Sequence, residues 1–301
     1  MLGIAQIVAV LMVVAVSPLL WGITQTVKAR LQGRHGPRLG QMYWVIAKTW
    51  TKETTVPEYS SWIFRLAPSI GLAAILLAAL TIPVGGRVPA GWPHNLLTLF
   101  FLLALERFWV GLAGLDSAGT FGGLGASRVS TLGTGVEPAL LAACGILWQV
   151  SGHTEIAPVA SWFATRPLGA LPWTLAAVSM GFVLLAEMGR LPVDNPDTHL
   201  ELTMMHEATV LEYDGRLLAL SQVAMTLKFS VVIVLGWVLL GPNLPSIWAN
   251  LAIRAVEVVL TSVALGWIES RFSKIRYFQI PAYLSLAAGL GVLAFYLIAG
   301  G

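Results

Sequence analysis

About eight runs of roughly 20 apolar residues divide this chain of 301 residues, at about 3–25, 66–83, 95–114, 131–150, 171–188, 218–241, 246–268 and 279–299. A run of that length crosses bilayer hydrocarbon as a helix, because a helix satisfies every backbone polar group internally. Only 11% of the residues are charged, against about 25% in a soluble domain, so a water-soluble globule is excluded. The fold expected is all-α. It is one polytopic membrane domain over residues 1–301, with cytoplasmic loops at about 26–65, 115–130, 189–217 and 269–278. The first run has neither a basic n-region nor a small-residue cleavage site, and reads as a retained span rather than a signal peptide.

Positive charge orients the spans. Lys28, Arg30, Arg34, Arg38, Lys48, Lys52 and Arg65 lie between the first and second, and Arg128 between the third and fourth. Arg190 and Arg216 lie between the fifth and sixth, and Arg271, Lys274 and Arg276 between the seventh and eighth. The opposite side holds Arg87 and Arg166, while Arg107, Lys228 and Arg254 fall inside spans. Loops rich in Lys and Arg stay in the cytoplasm. Both termini are therefore expected on the outer side of a prokaryotic cytoplasmic membrane. The outer loops are short and bland apart from a Pro-rich stretch at 151–172.

In the first cytoplasmic loop, Gly33, Gly36 and Pro37 mark a tight turn. After it Leu39, Met42, Tyr43, Ile46 and Trp50 recur at helical spacing, with Gln41, Lys48 and Lys52 on the other side. That pattern predicts an amphipathic helix lying along the membrane or under a partner. Two readings are open for the loop: a basic anchor with a surface helix, or a docking surface for a soluble subunit.

Residues 186–217 hold Glu187, Asp194, Asp197, Glu201, Glu207, Glu212 and Asp214, almost half of the 15 carboxylates in the chain. Membrane orientation does not require an acidic segment on the positive side. Asn195 before Pro196 reads as a helix start, and predicts a helix from 196 to about 212. On it His199, Thr203 and His206 share one face, and Glu201 and Glu212 lie roughly opposite. A zinc-protease motif needs a second His at position 210, where Val210 stands, so that reading is rejected. His199 and His206 read as structural or proton-relaying groups rather than a metal pair. The bland alternative for the carboxylates is a solvated loop face.

Ionisable residues also occur inside the spans: Glu137, Lys228, Arg254, Glu257 and the Glu106–Arg107 pair. Charges at such depth face the protein interior and mark proton or ion paths. Arg254 and Glu257, three residues apart, are placed to pair along one helix. Glu106 and Arg107 point to different faces and need other partners. Glu137 precedes Pro138, which loosens the helix, and a carboxyl buried there suits proton transfer. The bland reading of all these groups is neutralised structural pairing. Cys144 is the single cysteine, and an iron–sulfur cluster takes about four thiolates. No metal or cofactor is expected in this chain, and no nucleic-acid partner.

The Arg34-x-Gly36-Pro37 turn with its following helix resembles the first signature of the NADH dehydrogenase subunit 1 family, the heel subunit of respiratory complex I. Phe121-Gly122-Gly123-Leu124-Gly125-Ala126-Ser127-Arg128, followed by Glu137-Pro138, resembles its second signature. Ala186-Glu187-x-x-Arg190-x-Pro192-x-Asp194, with Glu201-Leu202 and Glu212-Tyr213-x-Gly215, resembles its third. The run Asn195-Pro196-Asp197-Thr198-His199-Leu200-Glu201-Leu202-Thr203-Met204 is similar to the group 4 [NiFe] hydrogenase branch, of formate hydrogenlyase type. So is Glu269-Ser270-x-x-x-Lys274-x-Arg276 followed by Pro281. His199 and Leu200 stand where quinone-linked members carry carboxylates.

The resemblance implies a subunit without an active site of its own. It would anchor a soluble electron-transfer arm in the bilayer and relay redox-linked protonation to ion translocation. The [NiFe] centre and iron–sulfur clusters would belong to large, small and iron–sulfur partner subunits, with antiporter-like membrane subunits alongside. Asp194, Glu201, Glu207 and Glu212 would exchange protons beneath the arm. Glu187 and Glu137 would pass the change inward, with His199, His206, Glu106, Lys228, Arg254 and Glu257 on the path. Arg190 would orient the acidic loop, and Arg30, Arg34, Arg38, Lys48 and Arg128 would hold the arm. The competing readings are a quinone-binding heel subunit of a complex I-like oxidoreductase, a purely structural anchor, and a stand-alone transporter. The transporter would need inverted repeats, which the sequence does not display.

Overall fold

The computed structural model describes residues 2–86, 91–164, 171–194, 205–244 and 246–299. Regular structure among them is helical, apart from one isolated antiparallel bridge between Asn95 and Glu155. The spanning helices are α1 (Leu2–Leu31), α3 (Trp62–Thr81), α4 (Leu96–Asp116), α5 (Thr120–Ser151), α7 (Leu171–Glu187), α9 (Gly215–Leu240), α10 (Ile247–Arg271) and α11 (Ile280–Ala299). Three short α-helices, α2 (Gln41–Trp50), α6 (Ile156–Ala164) and α8 (His206–Val210), and a 3₁₀ turn at Tyr277–Gln279 accompany them. Seven of the long helices are apolar and long enough to cross a membrane, and α7 is a shorter apolar eighth. The chain is a polytopic membrane protein.

Local chemistry starts these helices where they start. The Ile63 N–H donates to the Ser61 hydroxyl at 3.2 Å and the Leu97 N–H to the Asn95 side chain at 2.9 Å, capping α3 and α4. Asp214 caps α9, accepting from the Gly215 N–H at 2.7 Å. α9 is apolar on every side, the pattern of a helix buried all round. Its most apolar window is 67% buried, against 33% in α10 and 28% in α11. It is therefore the central post. α1, α3 and α10 pack on it, and α11 lies against α7 and α5.

Three expectations are corrected. The segment 115–130 is not a loop, because α5 already begins at Thr120 and leaves only 117–119 as the connection. Its glycines serve packing rather than turning: a Cβ on Gly125 would lie 2.7 Å from the Ala208 Cβ. α1 runs on to Leu31, so Lys28 is a buried helical residue and not a loop charge. The acidic segment does not form one helix from 196 to 212, because Met205 is non-helical and α8 ends at Val210. His199 and Glu201, with Asn195, Pro196, Asp197 and Thr203, lie outside the described residues.

Candidate functional site

Five charged side chains from four helices join end to end inside the bundle. Lys228 on α9 reaches Glu106 on α4 at 2.6 Å and Glu187, the last residue of α7, at 3.1 Å. Arg107 on α4 pairs with Glu187 and with Glu137 on α5, the latter at 3.2 Å. The order is Glu106–Lys228–Glu187–Arg107–Glu137. The adjacent residues Glu106 and Arg107 point apart, as neighbours on a helix must, and each finds its partner on a different helix. The Lys228 ammonium and the Arg107 guanidinium each bridge two carboxylates, so the chain can rearrange by shifting a cation between acceptors. Charges this deep persist only when paired, and each of these is.

A small cavity, partly open to solvent, adjoins this chain. Glu106, Arg107, Glu187 and Lys228 line it, together with Asp194 and His206. Trp21, Phe229, Met188, Met205 and Met225 contribute apolar walls. A second cavity shares Glu106, Val110, His206 and Met225 with the first and extends between α3, α8 and α9 to Tyr213. Burial, with the carboxylate of Asp116 nearby, pushes the Tyr213 phenol above its ordinary pKa. Its hydroxyl donates to the Phe64 carbonyl at 3.0 Å.

Beside the cavity, Arg190 is completely buried. Its guanidinium carbon sits 4.2 Å over the Trp21 ring and 4.9 Å from that of Phe229. Its Nε lies 2.9 Å from Glu269, which also takes Lys28 at 3.3 Å. Asp194, four residues on, pairs with Lys274 at 2.6 Å and accepts from the His206 N–H at 3.4 Å. Arg190 and Asp194 thus pin the start of the acidic segment to α1, α8 and the end of α10.

The other expected site residues fall elsewhere. Glu207 is half-buried, Glu212 is exposed, and neither lines the two cavities. Arg254 and Glu257 pair at 2.6 Å, as their spacing predicts. Arg254 also donates to the Trp237 and Pro242 carbonyls and the Asn243 side chain. The Trp237 carbonyl it contacts is about 13 Å along α9 from Lys228, and the pair is separate from the five-residue chain. Arg30, Arg34, Arg38 and Lys48 are exposed, whereas Arg128 is half-buried within α5. Among the described residues, no three His, Cys, Asp or Glu side chains cluster to hold a metal ion.

Sequence reasoning overlooks Asp116, cites Glu269 only as part of a motif, and leaves Arg107 without named partners. Glu269 carries a usable signal: it is an acid at the end of a span on the side otherwise reserved for Lys and Arg. Asp116 has the same position at the end of α4. Its carboxylate accepts from the Ser61 N–H and hydroxyl and from the Phe64 N–H, each at 2.9 Å, and so holds the start of α3.

Residues 3–299 match the family model described as NADH dehydrogenase. Hydrogenase-4 component C of Escherichia coli (strain K12) is 32% identical over 300 residues, covering 97% of this chain and 93% of the relative. Formate hydrogenlyase subunit 4 of the same organism is 31% identical, covering 96% of each. An NADH-quinone oxidoreductase subunit of Polaromonas naphthalenivorans (strain CJ2) is 28% identical over 77% of this chain and 70% of its own length. A chain of the membrane-bound sulfane sulfur reductase, an archaeal respiratory membrane complex, superimposes with a TM-score of 0.86 over 98% of both chains at 19% identity. At that identity the likeness speaks for the fold.

Proposed function

The chain belongs to the NADH dehydrogenase subunit 1 family, and we propose that it is the membrane-anchoring and energy-coupling subunit of a membrane-bound [NiFe] hydrogenase complex of formate hydrogenlyase type. The observation that carries this reading is the Glu106–Lys228–Glu187–Arg107–Glu137 chain, whose first four residues line a cavity together with Asp194 and His206. The two relatives that are more than 30% identical, over nearly their full lengths, supply the choice of branch. The single buried Cys144 cannot supply thiolates for a cluster. The [NiFe] centre and iron–sulfur clusters therefore belong to large, small and iron–sulfur partner subunits. Antiporter-like membrane subunits complete the assembly, in a prokaryotic cytoplasmic membrane with both termini outside.

In this reading Arg30, Arg34, Arg38 and Lys48 face the soluble arm. Redox change in the arm alters the charge sensed at Asp194 and His206. Charge at one group acts on its neighbours, so the response passes to Glu106 and Glu187, between which Lys228 is shared. Arg107 then transmits it to Glu137. The chain's residues hold and move protons, and electron transfer stays in the partners.

The test begins with mild-detergent purification of the chain with its associated proteins, followed by mass spectrometry and metal analysis. Nickel together with hydrogenase and iron–sulfur subunits is the expected outcome. Bound quinone and flavin without nickel overturns the reading in favour of a complex I-like heel subunit. In the purified complex, Glu187→Gln is expected to leave hydrogen turnover in place and lower the ions moved per turnover. An unchanged ion ratio removes Glu187 from the path.

A further inference from the structure

The outer faces of most spans suit lipid. Val256, Val259, Leu260 and Val263 stand exposed on α10, and Leu286, Val292, Leu293 and Tyr296 on α11. α5 differs. Its exposed stripe runs Ser127, Ser130, Thr131, Thr134, Pro138, Leu141 and Ala142, spaced three or four apart on one side of the helix. Glu137 lies on the edge of this stripe with its side chain 39% exposed. It is about 25 Å from the start of the 32-residue α5, half-way along a helix that crosses the membrane. The other mid-span charges, Glu106, Arg107, Lys228, Arg254 and Glu257, are at most 12% exposed.

We infer that this face of α5 is covered by a transmembrane helix of a neighbouring membrane subunit, which presents a cation or a hydrogen-bond donor to Glu137. A carboxylate does not rest against hydrocarbon at this depth. Arg107 engages Glu137 from the interior side, and among the described residues the exposed part of the carboxylate lacks such cover. The buried chain contains Glu106, Glu187 and Glu137 against Lys228 and Arg107, so its charge favours a cationic neighbour. The hydroxyls agree. Thr131 donates to the Ser127 carbonyl at 2.8 Å and Thr134 to the Thr131 carbonyl at 2.7 Å, leaving their lone pairs to accept from a neighbour. Hydroxyl and small side chains are the ones that helix–helix contacts in membranes favour. A second copy of this chain fits poorly, because a two-fold contact would set Glu137 against the copy's own Glu137.

The inference rests on the multi-subunit assembly proposed above. Its test uses the full chain expressed with its native partners. Thr134→Cys and Leu141→Cys are introduced one at a time, with Leu260→Cys on α10 as the lipid-facing comparison. Native membranes are treated with a membrane-permeant benzophenone-maleimide and irradiated, so that the benzophenone held on the cysteine inserts into a C–H bond of whatever packs within its reach, and the products are sequenced by mass spectrometry. The expected result is that both α5 positions join the same span of one membrane subunit, that this span carries Lys, Arg, His or an amide or hydroxyl donor within a turn of the link, and that Leu260→Cys yields no such product. Ala142→Cys serves on the same stripe if Thr134→Cys does not accumulate. Links only to a second copy, or reaction of Thr134→Cys with a lipid-dissolved maleimide as readily as Leu260→Cys in the assembled complex, overturn the inference. Nickel in that same preparation keeps its failure distinct from failure of the hydrogenase reading.

Discussion

The Nε of Arg190 stands 2.9 Å from a carboxylate oxygen of Glu269, and both side chains are sealed from solvent. This contact does more than hold the end of α10. Arg190 follows Glu187 by three residues, and the Phe229 ring beside it follows Lys228 by one. Fixing Arg190 against Phe229 and Trp21 therefore fixes the register at which Glu187 meets Lys228. The clamp lies outside the five-residue charge chain and sets its alignment.

Removing the anion of this clamp is costly. Glu269→Ala leaves Lys28 and Arg190 buried without their shared carboxylate, and breaking a buried pair costs about 3–5 kcal/mol. The variant is expected to fall in membrane abundance and to melt earlier in detergent than the parent. Abundance and a melting curve equal to the parent's would show that the clamp is not required for stability.

Lys228→Met acts differently, because it leaves Glu106 and Glu187 facing each other with no ammonium between them. Two carboxyl groups sharing a site do not both ionise, so one takes up a proton. The expected sign is a new carbonyl stretch of a protonated carboxylic acid in the infrared difference spectrum, with ion movement lost. Lys228→Arg keeps the charge and is expected to lack that band. An unchanged spectrum in Lys228→Met argues against the bridging role.

Asp116→Ala removes the acceptor for the Ser61 N–H, the Ser61 hydroxyl and the Phe64 N–H together. Loss of a single helix cap costs about 0.5–2 kcal/mol, and with three donors released the cost is expected at the upper end. Thermal melting in detergent measures it. Asp116→Asn retains an acceptor and is expected to recover about half of the loss.

The spans are legible in the sequence because apolar length carries the signal directly, and α2 because its apolar residues recur at helical spacing. The start of α5 is not, because Gly122, Gly123 and Gly125 have the composition of a loop. Only the neighbouring helices reveal that Gly125 makes room for Ala208. The buried groups are readable one by one, yet their pairing is not. Nothing local in Glu106 or Lys228 states that residues 122 positions apart meet at 2.6 Å. Arg254 and Glu257 can be paired in advance because both lie on one turn of one helix. Glu269 escapes because its partners come from α1 and from the connection after α7.

Gly215 ties the first basic loop to the central helix, and its substitution tests that tie. Its φ is +53°, where an L side chain costs about 1–2 kcal/mol. Space is also closed: a Cβ there would run into the Glu53 carbonyl oxygen and lie 2.7 Å from the Thr54 hydroxyl. The same contact holds the loop in place, since the Arg216 N–H donates to the Thr54 hydroxyl at 3.1 Å. Gly215→Ala must therefore push residues 53–55 off the start of α9 as well as strain the backbone. Protease added to the side of the membrane that bears the basic loops is expected to cut near residues 51–60 faster in Gly215→Ala than in the parent. Gly123→Ala is the comparison, because a Cβ there meets nothing within 4 Å and its cleavage is expected to match the parent. Equal cleavage of all three would mean that the loop is held by contacts other than the one at Gly215.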